Sequence, residues 1–87
     1  MTTITELMSA PLANELLALV SDLAEIDATA VDPQAPLAEV GIDSLMTIEI
    51  AVHVEQRFGA RFTEDDLGRL HCLLDLVTLT QLQLART

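Results

Sequence analysis

Residues 41–58 read GIDSLMTIEIAVHVEQRF and decide the fold of this 87-residue chain. Asp43 is a good N-cap residue, Ser44 takes the first helical position, and Gly59 is typical of the residue just beyond a helix end. Apolar side chains recur between Ser44 and Gly59 at helical spacing, in two rows. The rows are Leu45, Ile48, Val52 and Glu55, and Thr47, Ile50, Val54 and Phe58. The segment therefore predicts a central helix that packs on several neighbours.

An amphipathic helix is predicted before this segment. Pro11 suits the first turn of a helix, and Ser9 suits its cap. Leucines recur at helical spacing from Leu12 onward, and acidic residues occupy the opposite side up to Glu25. We therefore expect a helix from about Pro11 to Glu25, preceded by an N-terminal extension formed by residues 1–10.

The rest of the chain predicts one long loop and two further helices. Residues 27–41 contain Pro33 and Pro36, which exclude a regular helix there, so we expect an ordered loop that Val31 and Leu37 anchor to the core. Residues 63–66, TEDD, are typical of a capping box and begin a short helix. A last helix is predicted over residues 73–85. The expected fold class is all-α, a bundle of three main helices and one short helix.

The composition excludes several classes of function. Fourteen acidic residues against four arginines give a formal net charge of −10, which repels nucleic acid and anionic lipid and attracts basic protein surfaces. A single cysteine, Cys72, excludes an internal disulfide and fits a reducing compartment. No apolar run approaches the roughly 18 residues that a membrane span requires. We therefore expect a soluble, cytoplasmic, monomeric protein without nucleic-acid or membrane partners.

No catalytic or metal site is expected. Ser44 could in principle combine with His53 or His71 and an acid, but no glycine-rich oxyanion loop or strand-to-helix elbow accompanies it. Two histidines and Cys72 cannot supply a convincing set of zinc ligands. His53 is expected on the surface, His71 in a loop, and Cys72 as a small, half-buried thiol.

The corner at which the loop meets the helix at Ser44 is the place where function is expected. A hydroxyl at a helix N-terminus lies beside unpaired N–H groups and the positive end of the helix dipole, where a phosphate is stabilised. The same corner leaves the hydroxyl open to a modifying enzyme. In most proteins, a serine after an N-cap Asp is only part of helix capping, so this position alone is a weak signal of attachment.

The sequence around Ser44 resembles the acyl carrier protein family. The motif GxDSL at residues 41–45 follows DPQAPL at 32–37, and it precedes IEI at 48–50 and LxxLV at 73–77. The resemblance covers nearly all of residues 11–87, which we take as the carrier domain. It implies a four-helix bundle that carries 4′-phosphopantetheine on Ser44, with Asp43 as the motif residue that caps the helix. The terminal thiol of the arm, not Cys72, would hold an acyl group as a thioester.

The resemblance also implies partners rather than catalysis. A phosphopantetheinyl transferase would attach the arm, an acyltransferase or adenylating enzyme would load it, and a ketosynthase or other biosynthetic enzyme would receive the acyl group. By their positions on the helix that begins at Ser44, the residues expected to contact partners are Leu45, Met46, Glu49, His53, Gln56 and Arg57. For Glu49 and Arg57, an ordinary solvated helix face is an equally good explanation.

Within the family, Met46 favours polyketide-type carriers. Carriers of primary fatty-acid synthesis usually have Asp after the DSL motif, where this chain has Met46. Peptidyl carriers usually have Gly-Gly before the residue that precedes the serine, whereas this chain has Gly41 and Ile42 before Asp43. We therefore expect a discrete, free-standing carrier of polyketide biosynthesis. Three alternatives stay open: a fatty-acid carrier, an aminoacyl or glyceryl carrier, and, in a different class, an acidic helical interaction protein that is never modified.

Overall fold

The computed structural model describes residues 3–85, apart from the side chain of Thr5. Helices and turns make up this range, and no β-strand occurs within it, so the predicted all-α class is confirmed. The five helices are α1 (Ile4–Ser9), α2 (Pro11–Ala24), α3 (Ser44–Phe58), α4 (Glu64–Gly68) and α5 (Leu73–Ala85). Two short 3₁₀ turns, Ala28–Ala30 and Leu37–Val40, lie in the long loop between α2 and α3.

The long helices α2, α3 and α5 pack around an aliphatic core. Its largest fully buried apolar side chains come from all three helices and from the residue two positions before α3; they are Leu16, Val20, Ile42, Val54, Leu73 and Val77. Burying one Val, Leu or Ile side chain stabilises a fold by about 1.5–3 kcal/mol. Aliphatic burial is therefore the main stabilising term in this chain, which contains neither Trp nor Tyr.

The start of α2 differs in one respect from the sequence prediction. Pro11 lies in the first turn as predicted, but Ser9 ends α1, and Ala10 stands at the N-cap of α2 without a capping side chain. Ser9 as the helix cap is therefore wrong, because a separate helix occupies the preceding residues. That helix, α1, packs on α2 and α5 and places Leu7 and Met8 against the core. Residues 1 and 2 of the expected extension lie outside the described range.

The loop between α2 and α3 is tied to the junction of α4 and α5. The N–H of Leu37 donates to the carbonyl oxygen of His71 at 2.8 Å, and the N–H of Leu74 donates to that of Pro33 at 2.9 Å. The side chain of Leu37 is buried, and Val31 packs against the core. The prediction of an ordered loop anchored by Val31 and Leu37 is confirmed.

Helix α4 is fixed by the predicted capping box. Thr63 Oγ1 accepts from the N–H of Asp66 at 3.1 Å, and Asp66 Oδ2 accepts from the N–H of Thr63 at 3.0 Å. Asp66 Oδ2 also accepts from Gln83 Nε2 of α5 at 3.3 Å. The buried Asp66 carboxylate thus caps the start of α4 and also links this short helix to α5.

Only one of the two apolar rows predicted for α3 is buried. Ile50, Ala51 and Val54 face the core. In contrast, the exposed fractions of Leu45, Ile48 and Val52 are 66%, 48% and 45%. The expectation that both rows pack on neighbours is therefore wrong, because helical spacing identifies apolar faces without showing whether another element covers them.

Candidate functional site

The N-terminus of α3 is closed by hydrogen bonds to Asp43. Asp43 Oδ1 accepts from the N–H of Met46 at 2.8 Å, and its carbonyl oxygen accepts from the N–H of Thr47 at 3.0 Å and from Thr47 Oγ1 at 2.9 Å. Asp43 is therefore the N-cap, as predicted. Ser44 is the first residue of the helix, and it is exposed.

The two residues before Asp43 fix the direction in which the chain enters α3. Gly41 has φ of +86°, a left-handed conformation in which an L-residue with a Cβ is strained. Ile42 is 2% exposed, and its N–H donates to the carbonyl oxygen of Leu37 at 3.0 Å. A glycine turn and a buried anchor therefore hold the corner, here defined as residues 41–44, in one conformation.

Two N–H groups remain available beside the Ser44 hydroxyl. Within the described residues, no backbone hydrogen bond takes up the N–H of Ser44 or of Leu45. The first N–H groups of an α-helix have no partner inside the helix, and together with the helix dipole they stabilise an anion. The corner can therefore accommodate a phosphate on Ser44 Oγ.

An open groove of about 420 Å³ runs beside Ser44 between α3 and α4. Its lining combines apolar side chains with a hydroxyl pair, one carboxylate and one imidazole. The lining residues are Ser44, Thr47, Ile48, Glu64, Leu67, Gly68, Leu70 and His71. A long flexible group attached at Ser44 would therefore start at one wall of a groove that offers both polar and apolar contacts.

A much smaller void lies behind this groove, inside the core. Its volume is about 10 Å³, close to the space needed for a single water molecule. Thr47 and Leu70 line both the groove and the void, so they form the partition between them. The core as described is closed to an acyl chain, and the open space at the site is the groove.

The predicted partner residues are not all equally accessible. Leu45, Glu49, His53, Gln56 and Arg57 are exposed on α3, whereas Met46 is half-buried and packs against the core. Met46 is therefore less accessible than the other five residues, and its contact with partners stays a prediction.

Sequence reasoning missed two residues of the accessible apolar surface, Ile48 and Val52. Together with Leu45 they lie at positions i, i+3 and i+7 of α3, and these three residues are named the exposed stripe from here on. One signal could have identified them: α3 contains more apolar residues than a single packed face requires. Glu49 lies beside the exposed stripe and gives it an acidic flank.

The remaining residues singled out by sequence lie as follows. His53 is exposed on α3, and His71 is exposed in the segment before α5, both as predicted. Cys72 is half-buried as predicted, and burial raises the pKa of its thiol, so little reactive thiolate forms at neutral pH. Within residues 3–85, no three His, Cys, Asp or Glu side chains are arranged to hold a metal ion. No helix in that range is both long enough and apolar enough to cross a membrane.

The sequence is similar to known carrier domains. Residues 14–80 match the family model described as a phosphopantetheine attachment site. The chain is 38% identical over 85 residues to the highly reducing polyketide synthase pspA of Penicillium soppii, an alignment that covers 91% of this chain and 3% of the synthase. It is 31% identical over 64 residues to the meromycolate extension acyl carrier protein of Mycobacterium leprae, covering 72% of this chain and 56% of that protein.

The fold is similar to a solved carrier structure. The solution structure of the hexanoyl acyl carrier protein from the actinorhodin polyketide synthase of Streptomyces coelicolor superposes with a TM-score of 0.75 at 23% identity. The match covers 85% of this chain and 91% of that one, and it establishes the fold. The curated relatives are longer: the chain spans only 3% of the fungal synthase and about half of the mycobacterial protein.

Proposed function

The chain belongs to the family of carrier proteins with a phosphopantetheine attachment site, and we propose that Ser44 is the residue that carries this group. The proposal rests on an elimination among serines. The matched segment, residues 14–80, contains two serines, Ser21 and Ser44. Ser21 is half-buried, and its Oγ accepts from the N–H of Ala28 at 3.0 Å. Ser44 is exposed at the start of α3, so of the two it is the more accessible to a transferase.

At Ser44 the fold supplies what a phosphodiester needs. The available N–H groups of Ser44 and Leu45 and the positive end of the α3 dipole stabilise the negative charge. The groove beside Ser44 leaves room for the first part of the arm. The terminal thiol of the arm, and not Cys72, would hold an acyl group as a thioester; burial raises the pKa of the Cys72 thiol, which makes Cys72 the less reactive position. The chain would present the acyl group and perform no catalysis itself.

The exposed stripe is the surface that partner enzymes would contact. Leu45, Ile48 and Val52 offer apolar area directly after the attachment site, and Glu49 adds negative charge to a protein with a net charge of −10. A complementary partner has an apolar depression with a basic rim. The phosphopantetheinyl transferase, the loading acyltransferase or adenylating enzyme, and a ketosynthase or other acceptor enzyme would use this surface in turn.

We propose polyketide-type biosynthesis as the pathway and the cytoplasm as the location. Support for the pathway comes from Met46 after the DSL motif and from 38% identity to a polyketide synthase over 85 residues. Since that synthase is far longer than this chain, none of its other activities is assigned here. Similarity to the meromycolate extension carrier favours a second candidate, a carrier in fatty-acyl chain extension.

Intact mass spectrometry after incubation with coenzyme A and a promiscuous phosphopantetheinyl transferase tests the attachment site. The wild-type chain and a Ser21→Ala variant should each gain one phosphopantetheine, whereas Ser44→Ala should gain none. Circular dichroism should show equal helicity in the wild-type chain and Ser44→Ala, since Ser44 is exposed. It should also show that Ser21→Ala stays folded although it loses the hydrogen bond from Ala28. Loading of a folded Ser44→Ala variant would contradict the assignment.

A further inference from the structure

We propose that the imidazole of His71 binds the phosphodiester of the arm, an inference that rests on the proposed attachment at Ser44. The first observation is position. Ser44 and His71 lie at the same groove although 27 positions separate them in sequence (71 − 44), because the α4–α5 junction returns to the start of α3. A phosphate on Ser44 Oγ would therefore lie in a groove that His71 also lines.

The second observation is charge. Among the residues that line the groove, His71 is the one whose side chain can become positive, and Glu64 of α4 is the one that is negative. The phosphodiester is itself an anion, so it is attracted toward His71 and repelled from Glu64. These two side chains together give the phosphate a preferred side of the groove.

The third observation is the number of donors at the corner. Asp43 already occupies the N–H of Met46 and the N–H and hydroxyl of Thr47, which leaves the N–H groups of Ser44 and Leu45 for a new anion. The two non-bridging oxygens of a phosphodiester have more acceptor capacity than two N–H groups fill. An imidazole N–H from His71 would supply a further donor, and a hydrogen bond to a phosphate is stronger when its donor is charged.

The fourth observation is that the backbone of His71 is fixed while its side chain is available. Its N–H donates to Asp75 Oδ2 at 3.0 Å and to the carbonyl oxygen of Arg69 at 3.1 Å. Its carbonyl oxygen accepts from the N–H of Leu37 at 2.8 Å. Within the described residues, the imidazole makes no hydrogen bond of its own. Such a residue can bind a ligand group with little loss of backbone freedom.

Nuclear Overhauser spectroscopy on protein loaded with ¹³C-labelled phosphopantetheine tests this contact. Cross-peaks are expected between the ring protons of His71 and the arm methylene next to the phosphate. His53 is the matched control, because it is the other histidine, it is exposed, and it lies about 13 Å along α3 from Ser44. That distance is beyond the range of a nuclear Overhauser effect, so the His53 ring should show no cross-peak. It also exceeds the Debye length of about 8–10 Å at ordinary salt, so His53 should exert no charge effect on the phosphate.

Variants test whether the contact is an interaction with the phosphate itself. His71→Ala should move the ³¹P resonance of the loaded arm, His53→Ala should leave it in place, and His71→Arg should restore part of the shift by returning a cationic donor. High salt, at which the Debye length is about 3 Å, should reduce the difference between His71→Ala and wild type.

Attachment at Ser44 and phosphate binding by His71 can be tested separately, because intact mass is recorded on every sample. A fully loaded chain without cross-peaks from His71, and with the same ³¹P resonance in His71→Ala and wild type, would overturn the role of His71 and leave the carrier function standing. A folded chain that takes up no arm would overturn both.

Discussion

Two helix starts in this molecule are built very differently. Before α3, Gly41 turns the chain, Ile42 anchors it in the core and Asp43 caps the helix. Before α2, Ala10 provides no side-chain cap, and Pro11 is the one local device. Pro11 is enough to begin a helix that only has to pack. The turn, the anchor and the cap at the start of α3 together hold its backbone in one conformation, which is what an attachment site needs.

The largest effect on this difference is expected from the buried anchor. Ile42→Ala removes a fully buried side chain and should lower the free energy of unfolding by about 2–5 kcal/mol. Ile48→Ala is the matched control, since Ile48 is 48% exposed and its loss should cost under about 0.5 kcal/mol. Urea denaturation measures both. Equal losses in the two variants would mean that Ile42 is not the anchor of the corner.

The next effect is expected from the glycine turn. Gly41→Ala should destabilise the fold by about 1–2 kcal/mol, because an alanine at φ of +86° is strained. No atom lies within 4 Å of the position of the new Cβ, so the cost comes from the backbone alone.

Gly68→Ala is the control of opposite sign. Gly68 is the last residue of α4, its φ is not left-handed, and its added Cβ would also meet open space. The substitution should therefore stabilise by about 0.4–1 kcal/mol, because alanine reduces the conformational freedom of the unfolded chain. Thermal unfolding of both variants measures the two signs. A Gly41→Ala protein as stable as wild type would show that the left-handed turn at Gly41 is not required to hold the corner.

Removal of the cap at α3 should have a smaller effect. Asp43→Ala leaves the N–H of Met46 without its partner and should cost about 1 kcal/mol. Since the corner would become less ordered, hydrogen exchange in the first turn of α3 should also accelerate. Unchanged exchange together with unchanged stability would show that Ile42 and Gly41 hold the corner without the cap.

The smallest expected effect is a gain at the other helix start. Ala10 has an extended backbone suited to an N-cap, so Ala10→Ser should stabilise the protein by about 0.5–1 kcal/mol. Loading at Ser44 should be unaffected, because Ala10 does not line the groove beside Ser44. If Ala10→Ser had no effect or destabilised the protein, the lack of a side-chain cap would not explain the difference between the two helix starts.

Sequence patterns predicted local structure well where one residue type has one physical reason to be present. Asp43 caps α3, the left-handed Gly59 ends it with φ of +79°, and Thr63 and Asp66 form the capping box of α4. Ser9 shows the limit of such patterns, since a cap residue next to Pro11 is also a possible last residue of an earlier helix.

The parts of the site that sequence did not predict depend on contacts between elements. Ile48 and Val52 were placed in the core because their spacing is helical, and only the packed structure shows that no neighbour covers them. The groove was likewise missed, since Glu64 and His71 reach it from α4 and from the segment before α5. The attachment residue, by contrast, follows from the resemblance of residues 11–87 to a carrier family, and it stays a prediction until it is mapped.

Peptide-level mass mapping of the loaded wild-type chain tests the central claim most directly. After transfer from coenzyme A and proteolysis, fragmentation should place a single phosphopantetheine on Ser44. The peptide that contains Ser21 should be unmodified. An arm located on any other residue, or a folded chain that takes up none, would contradict the view that the corner at Ser44 exists to carry it.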